Sequence, residues 1–299
     1  MSAERRAVQG APTLNVVGCG RAGCSLVRLW LEAGTVRIGA VLNRSRASSD
    51  RAVADIGDGC AADTLSAMPP ADFWLIGTGD DQIASVAREL ADSGKAFRGA
   101  LVFHLAGRFG LEALAPLQGT DALLAALHPV RSLTHARLTI AEFKGTACVA
   151  EGRDEALVRL EPLVTSIAGS WLPVGDIDRG LYHAAVSIIS NVTKAVSWKA
   201  QRWLTHAGLP DTTAAAVTHK LLASTVEDLF RSGARQSITG PVVRGDTRTI
   251  EAHLDALRRS YPADIDVYRV LARTVLELAQ ERGDLDAATL ARFNTLFRG

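Results

Sequence analysis

The sequence has few cysteines, and those it has are scattered. Four occur among 299 residues, none at the C-x-x-C spacing of zinc sites and redox motifs: Cys19, Cys24, Cys60 and Cys148. We therefore expect no disulfide framework and interpret all four as buried thiols of a protein in a reducing compartment. The seven histidines lack carboxylate neighbours at ligand spacing, so no metal site is predicted either.

The chain also lacks an excess of charge and a long apolar segment. It has 33 Lys and Arg against 32 Asp and Glu, without a block of like charges, so a nucleic-acid or anionic-membrane partner is not expected. No stretch approaches the roughly 18 continuous apolar residues of a membrane span. Residues 1–12 are charged, lack the apolar region of a secretory signal and predict a disordered tail. We expect a cytoplasmic protein with a small-molecule partner.

What the sequence does contain is an ordered alternation of short apolar runs and helical patterns. The runs predict strands at residues 14–17, 36–42, 73–76, 101–104, 123–127, 146–150 and 171–174. Between them, residues 22–32, 81–93 and 154–168 carry apolar side chains at helical spacing. This order is typical of a doubly wound α/β domain of the Rossmann type, which we place at residues 13–176.

After residue 176 only helical periodicity remains. Helices are predicted at residues 179–206, 211–232, 247–259, 264–282 and 286–297, separated by Gly-Leu-Pro, Thr-Gly-Pro and Tyr-Pro breaks. The fold class is therefore α/β followed by an all-α C-terminal domain, residues 177–299.

The first apolar run leads into "NVVGCGRAGCSL", where three glycines have the spacing G-x-G-x-x-G. A turn of this kind, directly after a strand and opening a helix, is typical of a dinucleotide site. The pyrophosphate is expected at the helix N-terminus, facing the amides of Cys19 and Arg21. The predicted contacts are Gly18, Cys19, Gly20, Arg21, Ala22 and Gly23. The alternative is a strand-to-helix turn that binds nothing.

The end of the second strand indicates which dinucleotide is bound. NAD sites usually carry an acidic residue there for the ribose 2′-hydroxyl, but this chain reads "AVLNRSRASS". Arg44 offers a guanidinium to the 2′-phosphate of NADP(H), with Asn43 and Ser45 as hydrogen-bond partners. The alternative for Arg44 and Arg46 is a pair of solvated arginines at a surface turn.

Later strand ends add further candidates, because ligands of open α/β sheets bind at the carboxyl ends of the strands. Gly77 and Thr78 follow the strand at 73–76 and are expected to border the cofactor. His104 and His128 each end a strand and are candidates for binding substrate. Both histidines fit a purely structural role equally well.

The first helix after residue 176 carries polar residues four apart. Arg179, His183, Ser187 and Asn191 lie on neighbouring turns of one helix face, in the segment "DIDRGLYHAAVSIISNVTKAVSW". A spacing of four drifts about 40° per step, so at most two or three of them meet one ligand.

As a set, "VVGCGRAG", "VLNRS", "TGDDQI", "HLAG", "HPVRSL", "LYHAAVSIISN" and "TGPVVRGD" resemble one group of proteins. These are Rossmann-like bacterial proteins with a C-terminal helical domain of unknown function. They form a branch of the 6-phosphogluconate dehydrogenase-like superfamily, which includes pyrroline-5-carboxylate, ketopantoate and imine reductases. The resemblance covers nearly all of residues 14–280.

The resemblance implies NADPH in the first domain, substrate between the domains and a homodimer built on the helical domain. It also implies that some relatives have a proton-donating lysine where this chain has Arg179, and an asparagine where it has His183. Arginine does not readily release a proton, so His183 becomes the candidate acid. Ser187 and Asn191 would then orient the substrate.

The segment "TGPVVRGD" completes the candidate site. Arg244 is a candidate for binding a substrate carboxylate, and Asp246 either caps the next helix or has a functional role. Together these residues predict an NADPH-dependent reductase of a C=O or C=N bond in a small carboxylate-bearing metabolite. The alternative is an NADP(H)-binding sensor or scaffold without turnover, favoured by the arginine in place of lysine.

Overall fold

The computed structural model describes residues 10–133 and 137–298, so most of the predicted tail lies outside the described residues. The chain divides into two compact units between Thr193 and Lys194. The first helix after residue 176 is thus counted with the sheet. Two of its side chains contact the strands, as described below.

The first unit contains one eight-stranded sheet in the order β3-β2-β1-β4-β5-β6-β7-β8. The strands are β1 (Thr13–Val17), β2 (Arg37–Leu42), β3 (Cys60–Ala61), β4 (Phe73–Ile76), β5 (Leu101–His104), β6 (Leu123–Pro129), β7 (Ala147–Gly152) and β8 (Ser170–Pro173). All neighbouring pairs are parallel except β6 and β7. This topology confirms the predicted doubly wound sheet.

Helices on both faces bury the sheet. They include α1 (Arg21–Glu32), α2 (Arg46–Ile56), α3 (Ile83–Asp92), α4 (Ile140–Phe143) and α5 (Asp154–Thr165); α6 (Arg179–Ser187) follows β8. On one face Trp30 packs edge-on against Phe103 and its indole N–H donates to the Leu163 carbonyl at 2.6 Å. On the other, Trp74 packs edge-on against Phe97. Each fully buried side chain of this size contributes about 1.5–3 kcal/mol, and together they hold the strand ends in place.

The second unit is helical, as predicted. A π-helical turn, Ile188–Val192, joins α6 to α7 (Thr193–His206), so the predicted helix at 179–206 is continuous but locally unwound. It is followed by α8 (Asp211–Ser237), which breaks at Gly233, α9 (Thr247–Ser260), α10 (Ile265–Arg282) and α11 (Ala287–Phe297). Their core includes Leu254, Leu276 and Phe293. Among the described residues, no helix combines the length and the hydrophobicity needed to cross a membrane.

Candidate functional site

The turn between β1 and α1 is built by glycines that leave no room for side chains. Gly18 has φ +83°, and a Cβ on it would lie 2.7 Å from the Thr78 amide nitrogen. A Cβ on Gly77 would meet the Gly18 carbonyl oxygen, and a Cβ on Gly23 would lie 3.4 Å from the same oxygen. The ends of β1 and β4 therefore touch backbone to backbone, which brings the start of α1 to the edge of the sheet.

The N-terminus of α1 has the chemistry of an anion site. Gly20 is its N-cap, and no side chain caps the helix, so the first amides need another acceptor. The Cys19 amide donates instead to Asn43 Oδ1 at 2.6 Å. Contrary to our prediction it is not free for a phosphate, and the amides of Arg21, Ala22 and Gly23 are the available donors.

The cysteines also differ from the prediction. Cys19 and Cys24 are joined by a disulfide across the first turn of α1, with Cα atoms 5.2 Å apart. Of the other two, Cys60 is exposed and only Cys148 is a buried thiol, where burial raises its pKa to about 12. The interpretation of all four as buried thiols is therefore wrong. Composition shows how many cysteines there are, but not which of them meet.

The polar residues after β2 differ in their hydrogen bonds and ion pairs. Asn43 also donates from its side-chain nitrogen to the Ser48 carbonyl at 3.0 Å, and Ser45 caps α2 in a reciprocal pair with Ser48. Arg46 pairs with two carboxylates, Asp50 at 3.0 Å and Asp63 at 2.8 Å.

Arg44 differs from these neighbours. It is exposed, and its guanidinium pairs with no carboxylate in the part of the chain described. Of the three contacts predicted at this strand end, Asn43, Arg44 and Ser45, Arg44 is the one whose side chain is available to an added phosphate.

Beside the glycine turn, Thr78 has a buried hydroxyl without a hydrogen-bond partner among the described residues. A buried polar atom without a partner costs about 1–3 kcal/mol, and a ligand hydroxyl or amide would satisfy it. The uncapped helix, the glycine-lined backbone, Thr78 and Arg44 are the four features here that suit a phosphorylated dinucleotide.

His104 and His128, predicted as a pair, have different surroundings. His104 is fully buried; its Nε2 lies 2.9 Å from the Gly110 carbonyl, and its Nδ1 accepts from the Ala106 amide at 3.2 Å. Burial lowers its pKa, so the ring is held neutral. This geometry favours a structural role for His104 in the loop after β5.

His128 instead contacts α6. Its Nδ1 lies 2.7 Å from the Tyr182 hydroxyl, and its ring centroid lies 6.4 Å from that of His183. Burial, His183 and Arg179 lower the pKa of His128 to about 4, while burial raises the pKa of Tyr182. At neutral pH the imidazole is uncharged and the phenol keeps its proton.

Arg179 is buried and paired. Its Nε donates to Glu151 on β7 at 2.9 Å, and its guanidinium carbon lies 5.7 Å from the centroid of the Tyr182 ring. One guanidinium nitrogen, Nη1, is buried without a partner among the described residues. An arginine already matched by a carboxylate is poorly suited to hold a substrate anion by charge alone.

Ser187 and Asn191 are the other members of the set of four polar residues predicted on this helix. Ser187 ends α6, and Asn191 lies exposed in the π-helical turn. Such turns occur frequently at functional sites. In the second unit Arg244 is exposed. Asp246 caps α9 by accepting from the Thr249 hydroxyl at 2.6 Å and from the Thr249 amide at 3.1 Å, and these hydrogen bonds lower the pKa of Asp246.

Sequence reasoning missed Tyr182 and Glu151. Tyr182 precedes His183 in the quoted motif, but no local sequence pattern indicates that its hydroxyl has a polar partner. Glu151 ends an apolar run, which was the available signal. No cluster of three metal-ligating side chains occurs among residues 10–133 and 137–298.

Two family models match the chain. A Rossmann-like domain matches residues 4–129, and a domain of unknown function, DUF2520, matches residues 146–275. No curated protein matches.

Solved structures match over most of the chain. A protein from Thermotoga maritima is 22% identical, with TM-score 0.68 over 90% of this chain and 98% of its own. An imine reductase from Myxococcus stipitatus in complex with NADP+ is 19% identical (TM-score 0.59; 95% and 100% covered). A pyrroline-5-carboxylate reductase from Coxiella burnetii is 17% identical (TM-score 0.57; 97% and 100% covered). At such identities the likeness shows the fold.

Proposed function

We propose that this chain is an NADPH-dependent reductase, as its match to a Rossmann-like domain followed by a match to DUF2520 suggests. Its substrate is a small carboxylate-bearing metabolite with a C=O or C=N bond. The observation that carries this proposal is the uncapped α1 N-terminus behind the glycine turn, with the unpaired Arg44 at the end of β2.

The residues present fit NADP(H). The amides of Arg21, Ala22 and Gly23 would hold the pyrophosphate, and Arg44 the 2′-phosphate. The Thr78 hydroxyl would hydrogen-bond the cofactor beside Gly77. The bound NADP+ of the Myxococcus imine reductase supports this choice of nucleotide. NADPH supplies a hydride, and the protein supplies binding, orientation and a proton.

Three further residues are proposed to meet the substrate. Asn191 in the π-helical turn and Ser187 before it would orient the C=O or C=N group by hydrogen bonds. Arg244 would bind the carboxylate, since it is exposed whereas Arg179 is matched by Glu151. Arg244→Gln should then raise KM with little change in kcat.

We also propose a homodimer formed through the helical unit. On α8, Leu221 is 65% and Phe230 is 89% exposed, and large apolar side chains in this state favour association. A groove of about 1040 Å³ in the same unit is lined by apolar residues including Trp203 and Leu221. Phe230→Asp should yield a monomer in light scattering. Val158→Asp, at an equally apolar exposed position of the first unit, should not.

The test of activity is NADPH oxidation in the presence of 2-keto acids, cyclic imines, aldehydes, and a keto acid combined with an amine. Turnover with at least one class supports the reductase, and turnover that requires the amine indicates reductive condensation. Tight NADPH binding without oxidation across the panel, at neutral and mildly acidic pH, would refute it and leave an NADP(H) sensor or scaffold.

A further inference from the structure

Building on the reductase function, we propose that Tyr182 is the catalytic proton donor and that His128 is the residue that returns a proton to it. Neither residue carries this role in the sequence-based assignment, which chose His183.

The contact between the two side chains joins distant parts of the chain. Tyr182 lies in the first turns of α6, and His128 lies near the carboxyl end of β6. Their Oη and Nδ1 atoms are 2.7 Å apart, with the rings nearly perpendicular at 86°. Because ligands of open α/β sheets bind at this edge, the pair is placed where a reacting group is expected.

The imidazole is held in position by a glycine. A Cβ on Gly107 would lie 2.7 to 2.9 Å from three ring atoms of His128: Cε1, Nε2 and Nδ1. The ring therefore lies flat against the backbone of the loop after β5. Any larger residue at position 107 would move it.

The surroundings keep both side chains of the pair uncharged, so that Tyr182 carries the proton that it would donate. Burial first, and then His183 and Arg179 from α6, disfavour a charged His128. Arg179 lies over the Tyr182 ring and is paired with Glu151 of β7. Cys148, also on β7, is a protonated thiol because burial raises its pKa to about 12. With its own pKa raised by burial, the half-buried Tyr182 remains a phenol well above neutral pH.

The reaction balances without another reactant. The carbon of the C=O or C=N bond receives the hydride that NADPH supplies, and its oxygen or nitrogen takes the Tyr182 proton as the Oη–H bond breaks. With Nδ1–H donating to Oη, the phenolate regains a proton from His128 Nδ1 while a solvent water gives a proton to Nε2 and leaves as hydroxide, which a proton from solvent neutralises. Proton exchange with solvent then restores the Nδ1–H tautomer. The substrate gains one hydride and one proton, and the proton comes from solvent.

His183 fits the role less well. It forms no hydrogen bond within the part of the chain described, and its ring centroid lies 6.4 Å from that of His128. Arg179 is excluded as a donor because guanidinium does not release its proton.

The test compares variants of the full chain on whichever panel compound the wild type reduces. Tyr182→Phe should lower kcat by about 100-fold or more, the contribution typical of a general acid. The NADPH Kd should stay near wild type, and the variant should remain folded, with the melting temperature lowered only by the loss of the contact to His128. His183→Gln should keep most of kcat, as should Tyr268→Phe, which removes a hydroxyl bonded to His253 at 2.8 Å in the second unit.

His128 is tested through rescue. His128→Ala should lose kcat and regain part of it with added imidazole, which a purely structural histidine would not show. Gly107→Ala should lower kcat without changing the NADPH Kd, since it displaces only the ring.

The outcomes separate this role from the proposed function. If the wild type is active and Tyr182→Phe keeps kcat, the role of Tyr182 is overturned and the reductase function stands. Loss of kcat in His183→Gln in the same experiment would assign the proton donor to His183. A wild type that binds NADPH but reduces no panel compound would overturn both.

Discussion

Replacing Arg44 with alanine is expected to weaken NADPH binding and leave NADH binding unchanged. The two cofactors differ by the 2′-phosphate, so only the phosphorylated one loses a contact. A hydrogen bond to a charged group contributes about 1.5–3 kcal/mol, or roughly 10- to 150-fold in Kd. Since Arg44 is exposed, solvent screening favours the lower end, about tenfold.

Fluorescence titration of both cofactors against both proteins measures this difference. Arg46→Ala is the matched control, because Arg46 lies two residues away but is engaged by Asp50 and Asp63. Its NADPH Kd should change by less than about threefold, within the range of a surface ion pair. Equal losses for NADPH and NADH in Arg44→Ala, or a larger loss in Arg46→Ala, would refute the assignment of the phosphate site.

Three further predictions concern the first unit. Gly18→Ala should lower the free energy of unfolding by about 2 kcal/mol, because the positive φ strains alanine and its Cβ clashes with Thr78, and it should abolish NADPH binding. Gly94→Ala is the control: Gly94 also has a positive φ but faces open space, so this variant should show only the strain and bind NADPH normally. Glu151→Gln should lower the free energy of unfolding in urea by about 3 kcal/mol, because the buried Arg179 loses its counter-charge. Adding Arg179→Met to the same protein should restore part of the lost stability. A Glu151→Gln variant as stable as the wild type would contradict the pairing. The pKa of His128, ordinarily 6.5, is lowered to about 4, so the unfolded chain takes up a proton at a higher pH than the folded one. This contribution to stability is complete above pH 6.5 and is lost as the pH falls towards 4, up to about 3 kcal/mol. Unfolding at several pH values should show a shallower acid slope in His128→Asn, and identical slopes would count against the shift.

Much of the fold follows from local pattern. Strand β1 and helix α1 are marked by an apolar run, a glycine turn and apolar side chains at helical spacing, all within 20 residues. The π-helical turn and the break at Gly233 fall inside predicted helices, since hydrophobic spacing reports a helix but not its hydrogen-bond register. The two-residue strand β3 is too short to produce a pattern, and the antiparallel β6–β7 pair depends on how the chain returns to the sheet.

The candidate site, like the fold, could be predicted from the sequence only in part. The glycine turn was recognisable because each glycine acts through the backbone of its own turn. The pairing of Arg46 was not, because it depends on Asp63, 17 residues further along. Tyr182 and Glu151 were missed for the same reason, since each acquires its role only from a partner on another element.

The sequence alone predicted most of the strands and helices in their order, and it pointed to the nucleotide-binding turn and the phosphorylated cofactor that we propose, because these predictions depend on the period of apolar residues and on chemistry within a few residues. Only the tertiary structure decided which polar side chains meet. It engages the Cys19 amide with Asn43, matches Arg179 with Glu151 and joins His128 to Tyr182 across 54 residues of chain. Burial and pairing set the charge state of each group, and both are properties of the folded chain.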